Sequence, residues 1–205
     1  MSFDQWIAFS LTSLVVLIIP GPTILLVIGD ALAHRGRSAY STVAGVAAGD
    51  LTAFTLSMAG LGVVLATAAS LFTILKWAGA LYLIYLGIQA LRSAASARAL
   101  EISAQDGSPW QRFTKAWLVT ALNPKSIVFF VAFVPQFIDS SRPFWSQAAV
   151  MIPTFVVMAG ANSAVYAAMA RFLAQRITTQ NAQVHVQRAG GVALISAGTL
   201  IAIRS

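Results

Sequence analysis

The sequence predicts an all-α membrane protein with six transmembrane helices, arranged as two inverted three-helix repeats in which the first and fourth helices are broken. Of the 205 residues, 58% are hydrophobic and 9% are charged, whereas soluble domains average roughly 45–50% and 25%. Apolar runs of membrane-spanning length recur, and prolines interrupt two of them at corresponding places. A soluble fold of this size could not bury so much apolar surface, so we expect lipid around the chain.

The predicted spans are apolar stretches separated by more polar segments. The first, residues 6–28, contains no charged side chain and would be about 34 Å long as a helix, against a hydrocarbon core of roughly 30 Å. Because residues 1–5 contain Asp4 and neither Lys nor Arg, we expect this segment to stay as a helix rather than act as a signal peptide. The six spans are residues 6–28, 42–69, 71–91, 113–138, 145–170 and 188–203.

The distribution of cationic side chains predicts that both termini lie outside the cell. With the N-terminus outside, nine Lys and Arg residues fall on the inner side and three on the outer side, as the positive-inside rule requires. This bias accounts for most of the net charge of +7, so membrane lipids are the expected partner and nucleic acid is not. The inner residues are Arg35, Arg37, Arg92, Arg98, Arg112, Lys115, Arg171, Arg176 and Arg188, and the outer ones are Lys76, Arg142 and Arg204.

Sequence signatures of enzymes and metal proteins are missing. The chain has no cysteine and two histidines, which excludes a disulfide framework and argues against a thiolate metal site. It contains no HExxH, no GxSxG and no phosphate-binding glycine loop, and its six carboxylates are not spaced as a catalytic pair. We therefore expect no enzymatic activity, no cofactor and no metal.

Two weak internal matches predict the repeat. Residues 78–87, AGALYLIYLG, share five of ten positions with residues 189–198, AGGVALISAG, and GPTI at 21–24 aligns with NPKS at 123–126. Three spans are an odd number, so the second half must enter the membrane from the opposite face, which makes the repeat inverted. The predicted units are a first repeat over 1–91, a cytoplasmic linker over 92–112 and a second repeat over 113–205.

Pro20 and Pro22 interrupt the first span on either side of Gly21. Since proline has no N–H group, the carbonyls of Val16 and Ile18 lose their helical partners, and glycine lets the backbone bend. In hydrocarbon, such backbone is tolerated only where it is buried in protein or lines a wet cavity.

Pro124 interrupts the fourth span in the same way, where it deprives the carbonyl of Thr120 of its partner. A single proline in a membrane helix is as often a packing kink as a functional break. Two matched breaks, one of them doubled, favour a binding site at the interface of the halves over a pair of kinks.

Two charged residues lie inside the spans, Asp50 and Lys125. By insertion scales each costs about 2.5–3.5 kcal/mol at the bilayer centre, so both should face the interior of the bundle. Lys125 could instead extend toward the inner headgroups, and Asp50 could form a structural ion pair with Lys125 or stay neutral through hydrogen bonds. Asn162 occupies in the second half roughly the place of Asp50 in the first, and such an asparagine often only ties helices together.

One cation, one anion and two broken helices suit a small zwitterion. The carboxylate of an amino acid could dock at Lys125 and the positive end of a half-helix, while its ammonium meets Asp50 or the carbonyls freed near Pro20 and Pro22. Of the other polar residues, Asp30, His34 and His185 lie near the inner face, where we expect solvated or linker roles.

Gly45 and Gly49 form a small-xxx-small pair that could pack inside the bundle or form the seam of a homodimer. Packing inside the bundle is the favoured reading.

At these residues the chain also resembles the LysE superfamily, in particular its RhtB branch of homoserine, homoserine lactone and threonine exporters. The likeness covers nearly the whole chain, although the fifth and sixth spans match loosely. Its most specific part is NPK followed by a Phe-rich helix and PQF. The matching stretches are PGPTILLV, GRSAYSTVAGVAAGD, LKWAGALYLIYLGIQALR and FTKAWLVTALNPKSIVFFVAFVPQF.

The resemblance implies a multi-pass transporter of the bacterial inner membrane that moves amino acids or close derivatives out of the cytoplasm by proton antiport. Candidate substrates are homoserine, homoserine lactone, threonine or another neutral amino acid, and Asp50 is the better candidate for the proton carrier. The residues to which the resemblance assigns function are Pro20, Gly21, Pro22, Asp50, Asn123, Pro124, Lys125 and Asn162.

Two other classes of function stay open. A channel or a metal or ion exporter of related architecture would conduct, or would transport without competition from amino acids. A membrane scaffold or regulatory subunit would show no substrate-dependent flux.

Overall fold

A computed structural model describes residues 1–34, 39–67, 107–139 and 141–170, together with isolated positions within 77–92 and 188–199. Throughout these parts of the chain the regular structure is helical, without a strand. The six α-helices with continuous bounds are α1 (Phe3–Ile18), α2 (Pro22–Ala33), α3 (Ala39–Thr67), α4 (Pro109–Ala121), α5 (Pro124–Val128) and α6 (Phe144–Ala168). A π-helical turn, Phe129–Phe133, and a 3₁₀ turn, Val134–Phe137, continue α5.

The described helices include two that are long and apolar enough to cross a membrane. These are Ala39–Gly62 and Phe144–Ala168, and two bent pairs would raise the number to four if each pair is one span. The all-helical class predicted from the sequence is thus confirmed for the described residues, which include two to four candidate membrane spans. Predicted spans three and six lie largely outside the described residues, as do His185 and the matching segments 78–87 and 189–198.

Sequence explains where α1 and α4 begin. Ser2 and Ser108 are N-caps whose hydroxyls accept from the backbone N–H of Gln5 and Gln111, and the side-chain oxygens of both glutamines accept from the backbone N–H of the cap residue. These capping boxes satisfy N–H groups that a helix start leaves unpaired. Because α4 already begins at Pro109, its first turn lies within the segment predicted as linker.

Both predicted helix breaks are present. The axes of α1 and α2 differ by 58°, and those of α4 and the Pro124–Phe137 segment by 42°. In each pair the second helix restarts with proline at its first position, Pro22 or Pro124, where the missing N–H has no intrahelical partner to lose. The two breaks are therefore built in the same way.

Gly45 and Gly49 pack α3 against α4. A Cβ atom at Gly45 would lie 2.4 Å from the Phe113 carbonyl oxygen, and one at Gly49 would lie 2.7 Å from that of Trp117. The Trp117 indole N–H also donates to the Thr52 hydroxyl of α3, at 3.1 Å. The favoured sequence reading, packing within the bundle, is confirmed.

Aromatic rings fill the centre of the described bundle. Phe54 of α3 stacks on Phe130 of the π-helical turn, with ring centroids 4.2 Å apart and planes 2° apart. Phe155 of α6 meets Phe130 edge to face at 4.9 Å, and Phe9 of α1 and Phe129 are also buried in this cluster. This rigid layer lies beside the site and holds α1, α3, α5 and α6 together.

The expectation that Asp30 is solvated is wrong. Asp30 is fully buried, and its carboxylate accepts from the Thr42 hydroxyl at 2.6 Å and pairs with Arg112 Nε at 3.4 Å. His34 lies 3.2 Å from the same carboxylate. The buried charge is tolerated because Arg112, itself nearly buried, supplies the counter-charge.

Candidate functional site

The Lys125 side chain ends at the break between α1 and α2. Its ammonium donates to the carbonyl oxygen of Val16 at 3.0 Å and to that of Ile19 at 2.9 Å. The alternative prediction, that the Lys125 side chain extends toward the inner headgroups, is therefore wrong. The negative end of the α1 dipole and two unpaired carbonyls stabilise the cation more directly than partial exposure would.

The carbonyls of Leu17 and Ile18, which lie between those of Val16 and Ile19 in the chain, also accept hydrogen bonds from side chains, both of them on α6. The Asn162 amide donates to the Leu17 carbonyl at 3.0 Å, and the Tyr166 hydroxyl donates to the Ile18 carbonyl at 2.7 Å. The last three carbonyls of α1 and that of its C-cap residue, Ile19, thus each have a side-chain donor from α5 or α6. This meets the requirement that backbone groups at membrane depth find partners within the protein.

Gly21 serves this site by its lack of a side chain rather than by its backbone freedom. Its φ of −123° and ψ of −170° lie in the extended region open to any residue, so the expected glycine-specific bend is absent. A Cβ atom here would lie 3.6 Å from Lys125 Nζ. Glycine therefore leaves room beside the ammonium.

At the second break, Asn123 joins the two halves of the chain. Its side-chain oxygen caps the N–H of Lys125 at 3.0 Å, and its amide donates to the Thr23 hydroxyl of α2 at 3.2 Å. The Asn123 N–H also donates to the Thr120 carbonyl at 3.0 Å. Thr120 therefore keeps a partner through a tight turn, contrary to the sequence expectation.

Asp50 of α3 lies in the same site and is 4% exposed. The Ser126 hydroxyl lies close enough to interact with its carboxylate. Its carboxylate and the Lys125 ammonium are not within salt-bridge distance in the described residues, but the two groups interact electrostatically. Both side chains line one cavity.

That cavity has a volume of about 30 Å³, which is room for one or two water molecules. It brings together five of the eight residues singled out by the sequence, while Pro20, Pro22 and Pro124 shape the backbone around it. Its lining is Leu17, Gly21, Thr23, Ile24, Val46, Asp50, Asn123, Lys125, Ser126, Ala159, Asn162 and Ser163.

Sequence reasoning missed four polar residues of this region: Thr23, Ser126, Ser163 and Tyr166. Tyr166 follows Asn162 by one helical turn, a spacing that puts both on one face of a helix and could have indicated it. Thr23 directly follows Pro22 in the first break motif, and Ser126 directly follows Lys125 in the second, but neither motif says which hydroxyl faces the cavity.

Comparison with known proteins decides the family. The model of the LysE type translocator family matches residues 14–205, and this range includes both helix breaks and every residue that lines the cavity. The chain belongs to the LysE family. As a LysE family translocator it is a transporter rather than an enzyme, and it is a multi-pass membrane protein.

Curated relatives of this LysE family member match it over nearly its full length. Homoserine/homoserine lactone efflux proteins of Salmonella typhimurium and Salmonella typhi are 35% identical over 202 residues, covering 98% of both chains. A protein of Vibrio cholerae described as an uncharacterized membrane protein is 34% identical over the same share. No solved structure matches the chain.

Proposed function

We propose that this LysE family translocator exports homoserine, homoserine lactone or a similar small amino acid from the cytoplasm in exchange for protons. The observation that carries the proposal is the single cavity at both helix breaks, lined by the cation of Lys125 and the anion of Asp50. Full-length relatives named homoserine/homoserine lactone efflux proteins support the same substrate class.

The chemistry of the cavity suits a small polar zwitterion. Beside the two charges it offers the amides of Asn123 and Asn162 and the hydroxyl of Ser126. These groups are strong hydrogen-bonding partners for a carboxylate, an ammonium and a side-chain hydroxyl. Apolar residues such as Ile24 and Val46 complete the lining.

The cavity is small compared with the proposed substrate. Its volume of about 30 Å³ is less than an amino acid needs, so transport would require a second conformation with a larger site. We propose that the two halves form an inverted six-span repeat, 1–91 and 113–205 joined by the linker 92–112, and that they rock about the site. Both termini then lie outside the bacterial inner membrane.

Transport by purified protein tests the function. Proteoliposomes are loaded with labelled homoserine, homoserine lactone, threonine, leucine or lysine, a pH gradient is imposed and release is followed. We expect release of homoserine or its lactone to depend on the gradient. No release of any compound would overturn the proposal, and conductance or release without competition among amino acids would indicate a channel or ion exporter.

Lys125→Ala and Lys115→Ala form the matched pair for this assay. Lys115 is exposed on α4, away from the cavity lining, so its loss should leave release unchanged. Loss of Lys125 should abolish gradient-driven release in protein that remains monodisperse. Equal release by both variants would show that Lys125 is not part of the transport site.

A further inference from the structure

The end of α1 is built as a receptor for an ammonium group. Two carbonyl oxygens hold Lys125 Nζ at 3.0 and 2.9 Å, at the negative end of the helix dipole. An ammonium has three N–H donors, and within the described part of the chain no third acceptor is bonded to this one. Carbonyls at the end of a broken membrane helix are a common way to coordinate a small cation.

The same ammonium borders the cavity. Lys125 and Gly21 both line it, and the missing side chain of Gly21 leaves Lys125 Nζ accessible from that side. Asp50 lies in the cavity lining and is not paired with Lys125 in this conformation. A ligand in the cavity would therefore meet both the occupied carbonyls and a separate carboxylate.

We propose that the C-terminal end of α1 is a binding site for primary ammonium groups, that Lys125 occupies it in the empty protein, and that the ammonium of the transported amino acid displaces Lys125. The displacement step rests on the proposed function. It exchanges one primary ammonium for another on the same carbonyls of Val16 and Ile19. The flexible four-carbon stem of lysine lets the released group move toward Asp50 or the substrate carboxylate.

Chemical rescue tests the site without reference to transport. Lys125→Ala removes the tethered ammonium and leaves two buried carbonyls without a donor, so the variant should unfold at a lower temperature than the original protein. Ethylammonium chloride should then bind in the vacated space and raise its Tm saturably. Tetramethylammonium chloride, which has no N–H donor, is the matched salt control, and Lys115→Ala is the matched protein control.

A saturable rise in Tm with ethylammonium, confined to the Lys125 variant, supports the ammonium site. Equal responses to both salts, or no response of folded Lys125→Ala to ethylammonium, would overturn it. If Lys125→Ala does not yield monodisperse protein, Lys125→Ser, which keeps a small polar side chain, is used in the same assay with the same two outcomes.

Binding of labelled homoserine to detergent-solubilised protein tests the displacement. An internal occupant that holds the site nine-tenths of the time weakens apparent affinity about tenfold. Homoserine should therefore bind Lys125→Ala more tightly than the original protein, although transport by this variant is lost. Weaker binding would mean that Lys125 anchors the substrate carboxylate, and would overturn displacement. Rescue by ethylammonium with no homoserine binding by either protein would instead contradict the proposed substrate.

Discussion

Arg112 Nε lies 3.4 Å from the Asp30 carboxylate, and this buried pair connects α4 to α2. The same guanidinium donates to the Gly107 carbonyl at 2.7 Å, so it also fastens the chain just before α4. Both side chains are nearly inaccessible to solvent. Each side chain therefore supplies the opposite charge that the other needs in this buried position.

Removal of Arg112 alone should lower the free energy of unfolding more than removal of both charges of the Arg112–Asp30 pair. Arg112→Met leaves the Asp30 charge buried without its counter-charge, which we expect to cost about 3–5 kcal/mol. The double variant Asp30→Asn with Arg112→Met should recover much of this loss, as measured by thermal unfolding in detergent. Arg142→Met is the control, because the half-exposed Arg142–Asp139 pair is worth only about 0.2–1 kcal/mol. Strictly additive losses in the double variant would show that the pair is not coupled.

Alanine at Gly45 or Gly49 should loosen the contact of α3 with α4. Either Cβ would lie within 3.0 Å of the α4 backbone, so the helices must separate, and we expect a loss of about 1–3 kcal/mol from overpacking. Gly60→Ala is the control on the same helix, because a Cβ there meets nothing within 4 Å. The measurement is Tm of the three variants. A loss shared by Gly60→Ala would point to a general helix effect instead of the contact.

Gly21→Ala should fold normally and transport poorly. The backbone at this position is open to alanine, and the added methyl group would touch Lys125 Nζ at an ordinary contact distance of 3.6 Å. It would, however, occupy space in a cavity of about 30 Å³ and hinder movement of Lys125. We expect an unchanged Tm and a reduced rate of homoserine release from proteoliposomes. Gly60→Ala is again the control, and a Gly21→Ala rate equal to that control would contradict this role.

Asp50→Asn should uncouple release from the pH gradient. The amide keeps the size of the carboxylate and a hydrogen-bonding oxygen for Ser126, but it cannot take up or release a proton. We expect release to become independent of the imposed gradient while homoserine exchange across the membrane continues. Asp4→Asn, at an exposed position in the first turn of α1, provides the matched control. Full gradient-driven release by Asp50→Asn would exclude Asp50 as the proton carrier.

Much of the site could be predicted from the sequence because its causes are local. A proline in an apolar helix removes hydrogen bonds at a known distance from itself, so Pro20, Pro22 and Pro124 mark where the backbone must break. A charge in a membrane span is costly wherever the helix packs, so Asp50 and Lys125 are marked in the same way.

The partners of these groups could not be predicted, because they depend on how separate helices approach each other. The sequence shows that carbonyls of α1 lose their helical donors, but only the packing of α5 and α6 reveals that Lys125, Asn162 and Tyr166 replace them. The burial of Asp30 likewise depends on Arg112, which is distant in the chain. Each of these contacts joins helices that are distant in the chain, and no short sequence pattern shows that those helices meet.

The side-chain donors at the end of α1 also matter for the protein when it is not transporting. Because the carbonyls of residues 16–19 accept hydrogen bonds from side chains of the protein itself, no chain of water molecules is needed to satisfy them. We therefore expect little proton leakage along this break when the protein is not transporting.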